Sequence, residues 1–376
     1  MPHTLIHSSL KPAIGFLFCF LFIGQVILRS QNLVQPVQDS GKKVQTLVVP
    51  FLLKTPEMGW GGGLSGSVSF KTSFRGDTAT RTSIIQGIGF YTQNKQNVQA
   101  LDAMIFMPRE NYIFQFQGSH NYFPDKFWGI GDQTPDKPWE RYTYEHLYAS
   151  PHLKKRIYNR VFAGLLYEVQ NVFKVNYAQG GVFDSSHFNG KQKYLVSGPG
   201  LSISFDSRNK TFWPEKGIYL LAQSTKFTRH FGSDYELFKF MIDLRWFKRI
   251  YRKQVLAIQF YGYQTNGTTP LRDLASLGGS NNMRGFYQGR FRDNNMSTLI
   301  AEYRIPIYKR WSACVFGGAG KVYASFRDFH PELMKYSYGA GIRFSLLEKE
   351  RLNLRLDYGF YNRFNSGFYF TVGECF

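Results

Sequence analysis

Cysteine is almost missing from this sequence: three in 376 residues, one of them inside an N-terminal apolar run. That excludes a scaffold built on disulfides. Acidic residues are scarce, 26 Asp and Glu against 46 Lys and Arg, for a formal net charge of +20. Past the N-terminus no apolar run reaches the roughly 20 residues a membrane-spanning helix needs. Collagen-like and coiled-coil repeats are absent. The eight His lie at 3, 7, 120, 146, 152, 187, 230 and 330, without metal-ligand spacing, so they read as solvated loop residues and no metal is expected. No Ser/His/Asp order has a supporting turn. The Gly59–Gly66 stretch lacks the Lys-Ser/Thr end of a nucleotide loop. The expectation is a protein that is not an enzyme, holds no cofactor and binds no nucleic acid.

What is present is aromatic and glycine-rich: 36 Phe, 24 Tyr and 36 Gly. A disordered chain would not carry that aromatic load. At the N-terminus Lys11 precedes the apolar run Ala13 to Leu28, and Arg29 and Ser30 follow. A basic start, a short apolar core and a small final residue read as a secretory signal peptide over 1–30. A short periplasmic segment, 31–45, then leads into a single domain over 46–376.

Within that domain, alternation dominates. Leu352, Leu354, Leu356, Tyr358 and Phe360 interleave with Asn353, Arg355, Asp357 and Gly359. Phe238, Phe240, Ile242, Leu244 and Trp246 interleave with Lys239, Met241, Asp243 and Arg245. In a strand the two sets point to opposite faces. Such runs are about ten residues long, against five or six for soluble strands. One face is charged, the reverse of a soluble barrel's apolar interior. The fold expected is therefore an all-β transmembrane antiparallel barrel. Sixteen strands are predicted near 46–54, 59–71, 80–93, 97–107, 111–122, 140–152, 157–171, 195–206, 217–230, 234–248, 253–266, 297–306, 311–322, 336–346, 351–361 and 367–376. Pro50 interrupts the first. The last runs to Phe376, the barrel's C-terminal residue, with Glu374 on the outer face near the membrane interface. The long connections 123–139, 172–194, 267–296 and 323–335 all follow odd strands, and tight turns such as Arg75-Gly-Asp-Thr and Leu347-Glu-Lys-Glu follow even ones. That matches the extracellular and periplasmic ends of a bacterial outer-membrane barrel.

The second half carries a resemblance. From Leu277 the chain reads LGGSNNMRGF, then YQGRFRDNN, then a strand with Glu302. FGGAGKVY, YSYGAGIRF, LRLDYG and a final FYFTVGECF follow. Upstream, SFDSRNKTFWPEKG spans 204–217. This order resembles the barrel of the BamA/TamA superfamily, the bacterial surface antigen family, most strongly over 195–376. The resemblance implies that the long extracellular loop 267–296 folds into the lumen. Its tip is Met283, Arg284, Gly285 and Phe286. Arg284 would meet acids on the inner wall, with Glu302 as the first. Gly318 stands where the family has a second aspartate, and Asp357, inward by alternation, is the candidate substitute. Only some fifteen residues separate Ser30 from the first strand, so the periplasmic polypeptide-transport-associated domains of the family's assembly factors are expected to be lacking.

The resemblance implies assembly, insertion or translocation of outer-membrane proteins, with the first and last strands forming a seam that admits client strands. Ordinary barrel closure with a short first strand is the other reading of that seam. A passive or anion-selective pore, lined by Arg245, Arg304, Arg343 and Arg355, and a structural subunit of an envelope complex stay open as alternatives. Expected partners are outer-membrane lipids including lipopolysaccharide, client barrel proteins, and a periplasmic or lipoprotein partner. The basic turns around Lys154–Arg156 and Lys248–Lys253 suit anionic headgroups. Cys314 and Cys375 are expected to be free thiols facing inward.

Overall fold

A computed structural model of the protein describes residues 44–72, 80–210, 213–345, 353–361 and 365–376. The signal-peptide reading at 1–30, most of the segment 31–45, and the turns at 75–78 and 347–350 lie outside the described residues.

The alternating segments form strands β1 (Val44–Thr55), β2 (Gly59–Phe70), β3 (Ser83–Thr92), β4 (Asn97–Phe106), β5 (Tyr112–Phe127), β6 (Glu140–Tyr158), β7 (Val161–Asn176), β8 (Tyr194–Asp206) and β9 (Gly217–Phe227). They continue as β10 (Leu237–Arg249), β11 (Val255–Gly267), β12 (Ala275–Leu277), β13 (Phe291–Asp293), β14 (Asn295–Tyr308), β15 (Trp311–Tyr323), β16 (Lys335–Ser345), β17 (Asn353–Phe360) and β18 (Ser366–Val372). All but β12 and β13 close into one antiparallel barrel of 16 strands, in which each strand pairs with its neighbours in chain order. β12 and β13 pair with each other inside the connection from β11 to β14, and Arg292 of β13 also bridges to Gly131.

The two faces of the wall differ as the alternation predicts. In β14, Thr298, Ile300, Glu302 and Arg304 are buried, while Leu299 and Ala301 between them are exposed. In β17, Asn353, Arg355, Asp357 and Gly359 are buried, and Tyr358 is exposed. Leu101, Leu153, Leu165, Leu201, Leu244, Val315 and Ile342 are likewise exposed. An apolar outer row over a charged inner row is the transmembrane-barrel pattern.

Two expected loops are shorter than the sequence indicated. β5 runs on to Phe127, because its pairing with β6 continues through Phe123↔Tyr144 and Phe127↔Glu140, and β7 runs on to Asn176, paired with Thr143. The aromatic rows there also pack: a short helix α1 (Val182–Ser185) inserts Phe183 between Phe127, at 5.1 Å, and Tyr142, at 4.7 Å between ring centroids. That burial stabilises strand ends that would otherwise fray.

The closing pair is uneven. β1 pairs with β2 along its whole length, Val44↔Phe70 to Thr55↔Gly59, straight through Pro50↔Leu64. Against β18 it has one registered pair, Lys54↔Phe370. Over its first half β1 is therefore an edge strand, the setting in which a proline is tolerated. The last strand corrects the expectation for 367–376. It ends at Val372; Gly373 takes φ +89, a left-handed conformation open to glycine at little cost. The chain then turns inward. Cys375 and Phe376 are buried with Phe247, Ala257 and Ile300. Glu374 does not sit on the outer face: it accepts from Arg343 at 3.0 Å and from Asn353 at 2.8 Å. A carboxylate finds compensation on the charged inner row and none in hydrocarbon.

Candidate functional site

The connection between β11 and β14 is a hairpin. β12 and β13 are its arms, and 278–290 its tip. Gly285 has φ +112, and a Cβ there would come within 2.9 Å of the Phe360 backbone, so conformation and space both require glycine. The next side chain back, Arg284, is fully buried. Its Nη2 donates to Glu302 Oε2 at 2.7 Å and its Nη1 to Asp357 Oδ2 at 2.5 Å. Its guanidinium lies 3.5 Å from the centroid of the Phe316 ring. The structure thus brings together Arg284, Glu302 and Asp357. Gly318 has a physical counterpart: a Cβ there would come within 3.1 Å of Met283 Sδ and 3.3 Å of Ile300 Cγ1. The thioether fills the space that an aspartate would take, and β17 supplies the second acid.

These groups belong to a larger buried network. Arg304 Nε donates to Glu302 at 2.9 Å. Arg343 reaches Asp357 at 2.5 Å, Glu302 at 3.4 Å and Glu374 at 3.0 Å. Arg355 lies 3.5 Å from Asp357. Glu302 and Asp357 each serve three of these four guanidinium groups, while Glu374 serves Arg343 alone and Arg304 also donates to Phe376 O at 3.0 Å. Removing Glu302 or Asp357 takes a carboxylate from three buried cations, whereas removing Arg284 leaves both of its acids paired.

Further contacts spread round the wall. Gly285 N donates to Tyr369 Oη on β18 at 2.9 Å, and Tyr369 Oη donates to Phe286 O at 3.2 Å. Phe286 stacks on Tyr361 at 4.1 Å. Gln288 N donates to Glu57 Oε1, in the β1–β2 turn, at 2.6 Å. Tyr287 Oη and Arg292 Nη2 both reach Asp125 on β5, at 3.2 and 3.0 Å. On β7, Gln170 Nε2 donates to Asp273 Oδ2 at 2.6 Å. One hairpin thus contacts side chains on β5, β7, β14, β17 and β18 and in the β1–β2 turn. Two of them, to Tyr369 and Glu57, fall on either side of the β1–β18 seam.

Sequence reasoning missed Glu57, Asp125, Asp273 and Tyr369. Tyr369 left a trace, a large polar aromatic on an inward row between Gly367 and Thr371; Glu57, in a tight turn, left none. Two histidines correct the solvated-loop reading. His146 and His152 are buried on the inner row of β6, 3.0 Å from Gln170 and 2.7 Å from Ser202. Cys314 and Cys375 are free and buried.

The family model for the Omp85 superfamily domain matches residues 71–376. The chain belongs to the Omp85 superfamily. BamA from Haemophilus ducreyi lacking POTRA domains 1-3 resembles this Omp85 barrel with a TM-score of 0.59 and 12% identity, over 88% of this chain and 70% of that one. CdiB from Acinetobacter baumannii gives 0.57 and 11%, over 88% and 60%. CdiB from Escherichia coli gives 0.57 and 12%, over 88% and 63%. The Omp85 chain thus spans roughly two thirds of each neighbour's length. No curated protein matches it. It is an outer-membrane β-barrel of the kind that the BamA/TamA resemblance implied.

The loop carries one titration near neutrality. Burial pushes the Asp273 carboxyl up to about 7, with the Lys239 ammonium and Arg272 opposing and Glu168 reinforcing the rise. Burial also raises the Glu57 carboxyl. A carboxyl whose folded pKa lies above its unfolded value, about 4, binds more protons when folded. Its stabilising contribution is complete below about 4 and falls away as pH rises toward about 7. In detergent, the unfolding temperature of the Omp85 barrel on heated gels should therefore drop between pH 5 and pH 8. Asp273→Asn should flatten that slope; an unchanged slope would count against the assignment.

Proposed function

We propose that this barrel sits in the outer membrane with its tight turns toward the periplasm and its long loops outward, and admits client strands at the seam between β1 and β18. Its role on this reading is assembly, insertion or translocation of outer-membrane polypeptides. One observation carries the proposal: over its first half β1 shows no registered partner beyond β2 among the described residues, and Val44 to Val49 and Leu52 are exposed. In hydrocarbon every unpaired backbone N–H and C=O costs several kcal/mol, so a free edge at that depth favours strand addition. A client strand arriving from the periplasm would pair antiparallel or parallel to β1 by main-chain bonds, with little demand on its side chains. No catalytic group is needed.

The test is to lock the seam. Lys54→Cys with Phe370→Cys places two thiols on the one registered pair, near enough to bridge. Oxidation should deplete other barrel proteins from the outer membrane of cells that depend on this chain, and reduction should restore them. A locked barrel that sustains a normal outer-membrane proteome would overturn the role. A pore reading would instead be carried by large steady conductance in planar bilayers, which a hairpin bonded to Asp125, Glu302 and Asp357 does not favour.

A further inference from the structure

Three tight turns at the proposed periplasmic end repeat one device. They read Ile157-Tyr158-Asn159-Arg160, Ile250-Tyr251-Arg252-Lys253 and Ile307-Tyr308-Lys309-Arg310. The repetition extends to the backbone: the residue after each tyrosine has positive φ, +36 at Asn159, +48 at Arg252 and +46 at Lys309. Glycine is the ordinary occupant of such a turn position. Arginine and lysine there are strained by their Cβ. A cation kept in a strained position where glycine would be comfortable points to a use for the cation.

The surroundings say what the use is. Each isoleucine continues the outer, lipid-facing row of its strand: Leu153 and Lys155 precede Ile157, Leu244 precedes Ile250, and Leu299 and Ala301 precede Ile307. The tyrosines are 77%, 55% and 64% exposed. Arg252 lies 5.2 Å from the Tyr251 ring and Lys309 5.1 Å from that of Tyr308. No acid falls within 154–160, 248–254 or 306–310. The neighbouring acids are taken, Glu110 by Arg81 and Arg156, Glu215 by Lys210 and Arg249. Lys155, Arg160, Lys248, Arg252, Lys253 and Lys309 have no ion pair among the described residues. Apolar side chains ending a hydrocarbon-facing row, then tyrosine, then unpaired cations, is the order of a bilayer from acyl chain to headgroup.

We infer that these three turns bind the phosphate groups of anionic phospholipids in the periplasmic leaflet, holding the wall opposite the seam at a set depth. The inference rests on the membrane orientation proposed above but not on the client role. The test uses the full chain in lipid–detergent micelles. The heated-gel unfolding temperature is followed while phosphatidylglycerol or phosphatidylcholine is titrated in. Phosphatidylglycerol should raise it and phosphatidylcholine should not. At about 1 kcal/mol per cation near an anionic surface, Arg252→Gly with Lys309→Gly should increase the phosphatidylglycerol needed about fivefold per residue. In phosphatidylcholine the same variant should be as stable as the parent or more so, since glycine relieves the turn. Equal response to both lipids, an undiminished response in the double variant, or a rise reproduced by inorganic phosphate alone would each overturn the inference. A chain that never enters the micelle would remove the membrane reading with it.

Discussion

Glu302→Ala should be the most damaging single substitution in the inner wall. Arg284, Arg304 and Arg343 all lean on this carboxylate; its loss leaves Arg284 and Arg343 to Asp357 and Glu374, and Arg304 to Phe376 O. Breaking a buried ion pair by removing one partner costs about 3–5 kcal/mol. The folded band on heated gels should disappear at a markedly lower temperature, and protease should reach the 268–294 hairpin. Arg284→Ala should cost less, although it removes the hairpin's own anchor. Glu302 then keeps Arg304 and Arg343, and Asp357 keeps Arg343 and Arg355. The order of the two losses is the test. An arginine variant weaker than the glutamate variant would show that the network is not short of acid.

Gly373→Val should close the seam. A β-branched residue at φ +89 is a strained outlier, so the chain gains by continuing β18 instead of turning inward. Extending the Lys54↔Phe370 register sets Val372 against Leu52, Glu374 against Pro50 and Cys375 against Val49. Val49→Cys alone should form no disulfide with the native Cys375, which is buried on the inner side. With Gly373→Val added, the bridge should form under mild oxidation, as paired strands bring Cα atoms to about 5 Å. The same variant should lose the proposed strand-admitting activity. A barrel that bridges 49 to 375 without Gly373→Val would mean that the edge is already paired. A barrel that never bridges would mean that glycine is not what holds the terminus inward.

Glu57 and Tyr369 link these two experiments. The hairpin bonds to the β1–β2 turn through Glu57 and to β18 through Tyr369. Unseating the loop by Glu302→Ala should therefore also loosen the seam, giving faster exchange of the β1 amides.

The barrel was legible because its cause is local. Leu354, Leu356 and Tyr358 alternating with Arg355 and Asp357 declare two solvents for two faces, whatever the rest of the chain does. Strand number and the odd-even asymmetry of loops follow from the same two-residue period. Arg284 with Glu302 was within reach because the family resemblance implied the pair and alternation, a local reading, turned Glu302 inward. Other features depend on residues far apart in the chain occupying one space. Met283 fills the gap at Gly318, Asp357, an inward candidate by alternation, is brought within reach of Arg284, Asp273 meets Gln170, and Phe376 turns inward to pack with Phe247. Periodicity assigns a side chain to a face but not to a neighbour across the lumen; distance and burial, which set the electrostatics of the network and the open edge of β1, exist only once the sheet has closed.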